Sequence, residues 1–154
     1  MYKTIKVKLN PDLHQVASLL AYEKVFHEGI IHVADQVFAQ PWDTQFQSIR
    51  FDDMINVHNR WYLYQLGIKL NKANSMDKKM LYSRSSTWGQ RGFRIAKDKL
   101  CLRFGNSDDS CEMFISMQSE HRKLYGIRKN KMLRLDISHD GDLWWAGFLV
   151  EQES

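Results

Sequence analysis

Cysteine and proline are scarce in this sequence. Its two cysteines, Cys101 and Cys111, stand ten residues apart, and its two prolines are Pro11 and Pro41. Two thiols without CxxC spacing do not make a zinc site. A disulfide between them would have to cross neighbouring strands, and nothing calls for one, because intracellular thiols stay reduced. The expectation is two small buried hydrophobes. Long apolar runs are also missing, so no segment reaches the roughly 18 residues of a membrane-spanning helix. The first residues, Met1-Tyr2-Lys3-Thr4-Ile5-Lys6-Val7-Lys8-Leu9, alternate charge and lack the apolar core of a secretory signal. A cytoplasmic protein with no membrane partner is expected.

The motifs of catalysis are equally thin. Neither G-x-S-x-G nor GxxxxGK[ST] occurs. The six histidines fit no HExxH or i,i+4 ligand pair; His27 and His32, five apart, fall on different helix faces. No spacing selects a Cys–His pair between Cys101 or Cys111 and His121. A metal-dependent nuclease needs two or three carboxylates converging on Mg²⁺. Asp108, Asp109 and Glu112 cluster, as do Asp140 and Asp142, but both groups fall at predicted turns, where acidic side chains serve local hydrogen bonds. No metal, no cofactor and no catalysis are expected.

What is present is positive charge in one place. Residues 1–59 carry 5 Lys/Arg and 7 Asp/Glu, residues 60–134 carry 17 and 6, and residues 135–154 carry none and 5. A basic middle of this kind is the footprint of a polyanionic partner. Nine of the 22 positive residues are Arg, and several sit beside aromatic rings. Arg60-Trp61-Tyr62, Tyr82-Ser83-Arg84, Trp88 to Arg94 and His121 to Tyr125 all follow that pattern. Arg binds phosphate bidentately, and flat rings stack on unpaired bases. Candidate nucleic-acid contacts are therefore Arg60, Lys78, Lys79, Arg84, Trp88, Arg91, Phe93, Arg94, Arg103, Arg122, Lys123, Arg128 and Lys131. Gly89 and Gly92 would let backbone approach a sugar–phosphate chain. The acidic tail from Asp136 is expected off that face.

Hydrophobic periodicity sets the elements. Ile5, Val7 and Leu9 alternate with Thr4, Lys6 and Lys8, which predicts a strand whose lysine row guards an edge. Asn10-Pro11-Asp12 starts an amphipathic helix ending by Gln40, or two helices meeting near Gly29. A further helix is predicted from about 47 to 66, closed by Gly67. Leu70 to Met80 reads as a short basic helix or an exposed loop. Strands follow at about 92–96, 99–104, 111–117, 123–127, 131–137 and 143–150, separated by hairpin chemistry at Lys97-Asp98, residues 105–109, Arg128-Lys129-Asn130 and residues 139–142, with Asp140-Gly141 the clearest turn. Trp144 and Trp145 must face opposite sides. The fold class is α+β: a small oligonucleotide-binding-like antiparallel β-barrel with a helical insertion after the first strand. At 154 residues this is a single domain, with strands 2–9 and 92–150 in the barrel and 11–84 as the insert.

Several stretches carry a resemblance. They are Lys3-Thr4-Ile5-Lys6-Val7-Lys8-Leu9-Asn10-Pro11, the Ser/Thr-Trp strand of Ser86-Thr87-Trp88, Lys97-Asp98-Lys99-Leu100-Cys101-Leu102-Arg103-Phe104-Gly105, and Asp140-Gly141-Asp142-Leu143-Trp144-Trp145-Ala146-Gly147-Phe148-Leu149-Val150-Glu151. Their order resembles the N-terminal half of TnpB-like transposon nucleases and type V CRISPR effectors. There a wedge barrel holding the guide-RNA scaffold carries an inserted recognition lobe. The insert here is shorter, and the chain stops where the RuvC strand with its catalytic Asp would begin. The resemblance implies structured guide RNA as partner, an RNA-guided nuclease as a second partner, and no cleavage. Such a protein would complete a split effector or, as an anti-CRISPR protein, compete for its guide RNA or dock on the nuclease. Competing readings are a protein-interaction module without RNA binding and a small enzyme built on a Cys–His or Asp site.

Overall fold

The computed structural model describes residues 1–39, 46, 49–72, 85–105, 111–118 and 121–152. Its seven strands are β1 (Tyr2–Asn10), β2 (Ser85–Gly89), β3 (Phe93–Ala96), β4 (Lys99–Phe104), β5 (Cys111–Gln118), β6 (Lys131–Asp140) and β7 (Leu143–Glu151). They form one antiparallel sheet in the order β2-β6-β7-β1-β5-β4-β3. The edge strands β2 and β3 are consecutive in the chain, joined by residues 90–92 alone. Six strand spacings of about 4.8 Å would hold the edges of a flat sheet roughly 29 Å apart. Four Cα steps from Gly89 to Phe93 reach about 14 Å at most. The sheet must therefore curl. The result is the oligonucleotide-binding-like half-barrel, with a helical insertion after the first strand. Its inner face carries Val7, Leu9, Phe93, Leu100, Leu102, Ile115, Leu135, Ile137, Ala146, Phe148 and Val150, all buried.

The insert begins with α1 (Leu13–Ala39). Asp12, not Asn10, caps it: Gln15 N donates to Asp12 Oδ1 at 2.8 Å, and Asp12 N donates to Gln15 Oε1 at 3.0 Å, a capping box. Strand β1 claims Asn10 first, through its pairing with Ser116. Helix α1 is one continuous helix through Gly29. A 3-10 turn (Val57–Asn59) leads into α2 (Arg60–Lys72). The helix expected from residue 47 does not form over 49–56. There Asp52 captures the Met54 N–H through its carboxylate and the Ile55 N–H through its carbonyl, and Asn56 restarts the chain by accepting from His58 N at 3.0 Å. Nor does Gly67 end the helix. It lies against Val33 of α1, where a Cβ would come within 2.4 Å of Cγ1.

The stretch expected as a strand at 123–127 is helix α3 (His121–Lys129). Leu124 and Ile127 recur at helical spacing and pack on the core, and Asn130 Nδ2 closes the end by donating to Gly126 O at 2.7 Å. The Arg128-Lys129-Asn130 stretch is accordingly a helix end and not a hairpin. Helix α3 lies beside β1, with Gly126 against Ile5. Ser85–Gly89 adds a strand beyond those drawn from the periodicity. The hairpins at Lys97-Asp98 and Gly141-Asp142 fall as expected, with Lys97 at φ 58° and Gly141 at φ 58°. One expectation about β1 fails. It sits between β7 and β5 and not at the edge of the sheet, although β5 pairs only with Lys8, Leu9 and Asn10.

Candidate nucleic-acid interface

The sequence brings two kinds of basic–aromatic neighbour together, and folding separates them. Trp88 is fully buried, stacked on Tyr22 with ring centroids 4.1 Å apart, and its indole N–H donates to Ser86 Oγ at 3.1 Å. Phe93 points inward toward Phe148, with centroids 6.0 Å apart. Neither ring can stack on a base. The sequence predicts that both do, and the phase of their strands decides otherwise: residues 86, 88 and 93 take the core side.

Gly89 and Gly92 also serve the fold. A Cβ on Gly89 would meet His58 O at 1.9 Å, and one on Gly92 would meet Asn59 Oδ1 at 2.1 Å. What these glycines admit is the insert's own 3-10 turn, not a sugar–phosphate chain. Asn59 sits buried in the seam between β2 and β3. Its Oδ1 accepts from Gly89 N at 2.7 Å, and its Nδ2 donates to Tyr22 Oη at 3.1 Å. Burial pushes the Tyr22 phenol well above its ordinary range. Asn56 Nδ2 donates to Gly105 O at 2.8 Å, and Gly105 N to Met54 O at 2.9 Å. His139 Nε2 meets Glu23 Oε2 at 2.8 Å while its ring stacks on Trp144. The insert is thus fastened to the barrel by a set of short polar contacts.

The outer face of β3, β4 and β5 is different. Arg94, Lys99 and Arg103 project outward there, beside Glu112, Phe114, Ser116 and Gln118. Arg94 and Arg103 share one carboxylate: Nη2 of Arg94 lies 3.2 Å from Glu112 Oε2, and Nε of Arg103 lies 3.5 Å from Oε1. The Arg94 guanidinium sits 5.5 Å from the Phe114 ring centroid, and Phe114 is 40% exposed. Arg91 is exposed in the adjoining turn. Burial, then Arg91 and Arg103, hold the His58 pKa below its ordinary value. With Lys97 and Asp98 in the neighbouring hairpin, five cations on this side face two carboxylates among the described residues. Such a surface can bind phosphates bidentately and offer one ring to a base.

The remaining candidates scatter. Arg60 turns into the insert, its Nε donating to Ile55 O at 3.2 Å and its guanidinium 5.5 Å from the Phe51 ring. Lys123 is exposed on α3, with Nζ donating to Lys6 O at 3.2 Å. Lys131 is exposed and stands opposite Glu151. Arg122 and Arg128 lie on α3, but their side chains, like Lys78, Lys79 and Arg84 entirely, lie outside the described residues. The acidic tail is not wholly off this side. Asp136 points outward on β6, where it pairs with Arg134 at 3.2 Å and accepts from Thr87 Oγ1 at 2.7 Å.

Sequence reasoning missed Phe114 and Lys99 as candidate contacts, and it read the outward lysines Lys6 and Lys8 only as guards of an edge. The signal was an aromatic or a cation on the outward phase of a strand whose other phase is apolar.

Among the described residues nothing has the form of a nucleophile or a metal site. Both cysteines are free. Cys101 is buried beneath this face, and burial followed by the Glu112 charge pushes its thiol up. Cys111 is exposed, against the expectation of two buried thiols, although it shares the inward phase of Ile115 and Met117; it is the first residue of β5, at the end of the strand. Among the described residues no three His, Cys, Asp or Glu side chains converge on a point, and no helix is long and apolar enough to cross a membrane. A cleft of about 170 Å³ between α1 and residues 50–55 carries Glu28, His32, Arg50 and Asp52 at its rim. It is well below the roughly 300 Å³ of small-molecule sites. No protein-family model matches the chain, and no curated protein is detectably similar to it.

Proposed function

We propose that this protein is a non-catalytic RNA-binding protein that contacts RNA through the outer face of β3–β5. The carrying observation is the group Arg94–Glu112–Arg103 beside exposed Phe114. Two guanidiniums share one carboxylate, so positive charge is left over beside an available ring. Phosphate would meet the guanidiniums, and an unpaired base would meet the ring. The resemblance to the wedge region makes a guide-RNA scaffold the first RNA to try. It also makes an RNA-guided nuclease the protein this one would assist or oppose.

The test is binding of structured RNA at about 0.1 M salt, where phosphate contacts still dominate affinity. Replacing Arg91 and Arg94 with Ala weakens binding and lowers the slope of log K against log salt by about one for each phosphate no longer held. The melting temperature stays nearly unchanged, because an exposed ion pair contributes at most about 1 kcal/mol. No binding below micromolar concentration, or an unchanged dissociation constant in the double variant, sinks the proposal. A second reading rests on the insert. Trp61, 48% exposed, packs with Tyr64 and Phe46 in a surface aromatic cluster of the kind that anchors protein interfaces. Co-purification of a protein that survives nuclease treatment would favour that reading.

A further inference from the structure

Guarding an edge does not account for Lys8, since β1 lies inside the sheet order and is paired on both sides there. Thr4, Lys6, Lys8 and Asn10 project from its outer face, because Val7 and Leu9 hold the core phase. Lys8 stands in register with Trp145 on β7 and with Gln118 on β5. The Lys6 ammonium sits 4.7 Å from the Trp145 ring centroid, and Lys123 of α3 is held over the same strand by its bond to Lys6 O. Two carboxylates lie in register with these rows. Asp136 is two strands from Lys6 and engaged by Arg134 and Thr87, and Glu151 stands opposite Tyr2. Among the described residues, one ammonium group thus faces the indole, Lys8 is its neighbour in register, and Lys123 lies at the same strand, with no carboxylate against any of the three.

This patch repeats the chemistry found at Phe114, on the same face of the same curled sheet. Only β1 separates β5 from β7. Four residues along β5 from Gln118 to Phe114, with two strand spacings across, place the two rings roughly 16 Å apart along the sheet. We infer that Lys6, Lys8, Lys123 and Trp145 form a second RNA contact, and that the ligand is an unpaired strand running across the outer face from Phe114 to Trp145. A duplex keeps its bases stacked on one another and could offer neither ring a free face; a single strand can offer both. The inference rests on the RNA-binding reading and narrows its substrate to single-stranded segments.

The experiment uses the full chain and a labelled RNA of about 20 nucleotides, enough to cover a single-strand site of this type. The RNA is tested alone and annealed to its complement. The single strand binds more tightly than the duplex by about 25-fold or more, the low end for losing two stacked bases. The Lys6→Gln/Lys8→Gln variant lowers the single-strand salt slope by about 1.4, the value for two phosphate contacts. Trp145→Leu, which keeps apolar cover on the sheet, weakens single-strand binding while leaving duplex binding alone. Melting temperatures of both variants distinguish weaker RNA binding from a disrupted fold. Equal affinity for the two RNA forms, or a salt slope unchanged in the lysine variant while Arg91→Ala/Arg94→Ala still weakens binding, overturns this inference alone. A wild-type chain that binds neither RNA overturns the RNA-binding reading itself.

Discussion

At the scale of single residues, charge near His58 gives the most direct handle on the basic face. His58 is half-buried, and Arg91 and Arg103 add to the cost of charging it. The unfolded chain takes up this proton near the ordinary value of 6.5, whereas the folded chain resists until lower pH. Its contribution to stability is thus whole above that value and is lost as pH falls through the folded pKa. Arg91→Ala removes one of the two repulsions, so the His58 pKa should rise, as read by the imidazole proton shifts in an NMR titration. Phosphate bound at the arginines acts in the same direction. RNA binding should therefore take up a proton, and affinity should increase as pH falls from about 7.5 to about 6. A His58 pKa that ignores both Arg91 and RNA would move the contact surface away from this corner. Trp88 teaches the complementary lesson. Its neighbours Gly89, Arg91 and Arg94 read as a stacking site in one dimension, but a strand alternates, and the phase that exposes Arg94 buries Trp88 and Phe93.

At the scale of elements, the crossing of α1 and α2 is made by two glycines that are not equivalent. A Cβ on Gly67 would come within 2.4 Å of Val33 Cγ1, 2.5 Å of Val33 Cβ and 3.1 Å of Ile30 O. A stiff β-branched side chain and a backbone carbonyl cannot yield. On Gly29 the obstacle is Leu63 Cδ1 at 2.8 Å, the far end of a side chain that can turn. Alanine adds about 1 kcal/mol of helix propensity at either site. Overpacking of a tight contact costs about 1–3 kcal/mol. Gly67→Ala should lower the denaturation midpoint, while Gly29→Ala should leave it within error or raise it. Equal effects would mean that the helices do not cross as closely as described. Gly67 also shows why an element's end is hard to read from sequence. The residue that most often closes a helix here lets a second helix approach its middle, and nothing local distinguishes the two uses.

At the scale of the whole molecule, the insert completes the barrel. Turn 57–59 fills the seam that β2 and β3 leave open, and Tyr22 covers Trp88 and Phe104. Asn10 and Ser85 end up near one another across three strand spacings, about 14 Å. A chain with residues 11–84 replaced by a short flexible linker can therefore be built. It should fail to make a protected barrel, because Trp88, Phe104 and Trp144 become uncovered and the Gly89 N–H is left without its partner. Hydrogen exchange and binding of a hydrophobic dye read this out; native-like protection in that variant would show the insert to be an ornament.

Alternation and turn chemistry in the sequence are enough to locate six of the seven strands, five of them to within a residue at each end, together with the two tight hairpins, the long first helix and the α+β class, because each is a local pattern of a few residues. Residues 123–127 read wrongly as a strand because Leu124 and Ile127 are too few to separate a short helix from one. Tertiary structure alone decided which rings were left outside. Phe114 and Trp145 share a face with Lys6 and Lys8 because β5 and β7 each pair with β1, one on either side, in one register. Register depends on partners more than a hundred residues away, so no local pattern could carry it.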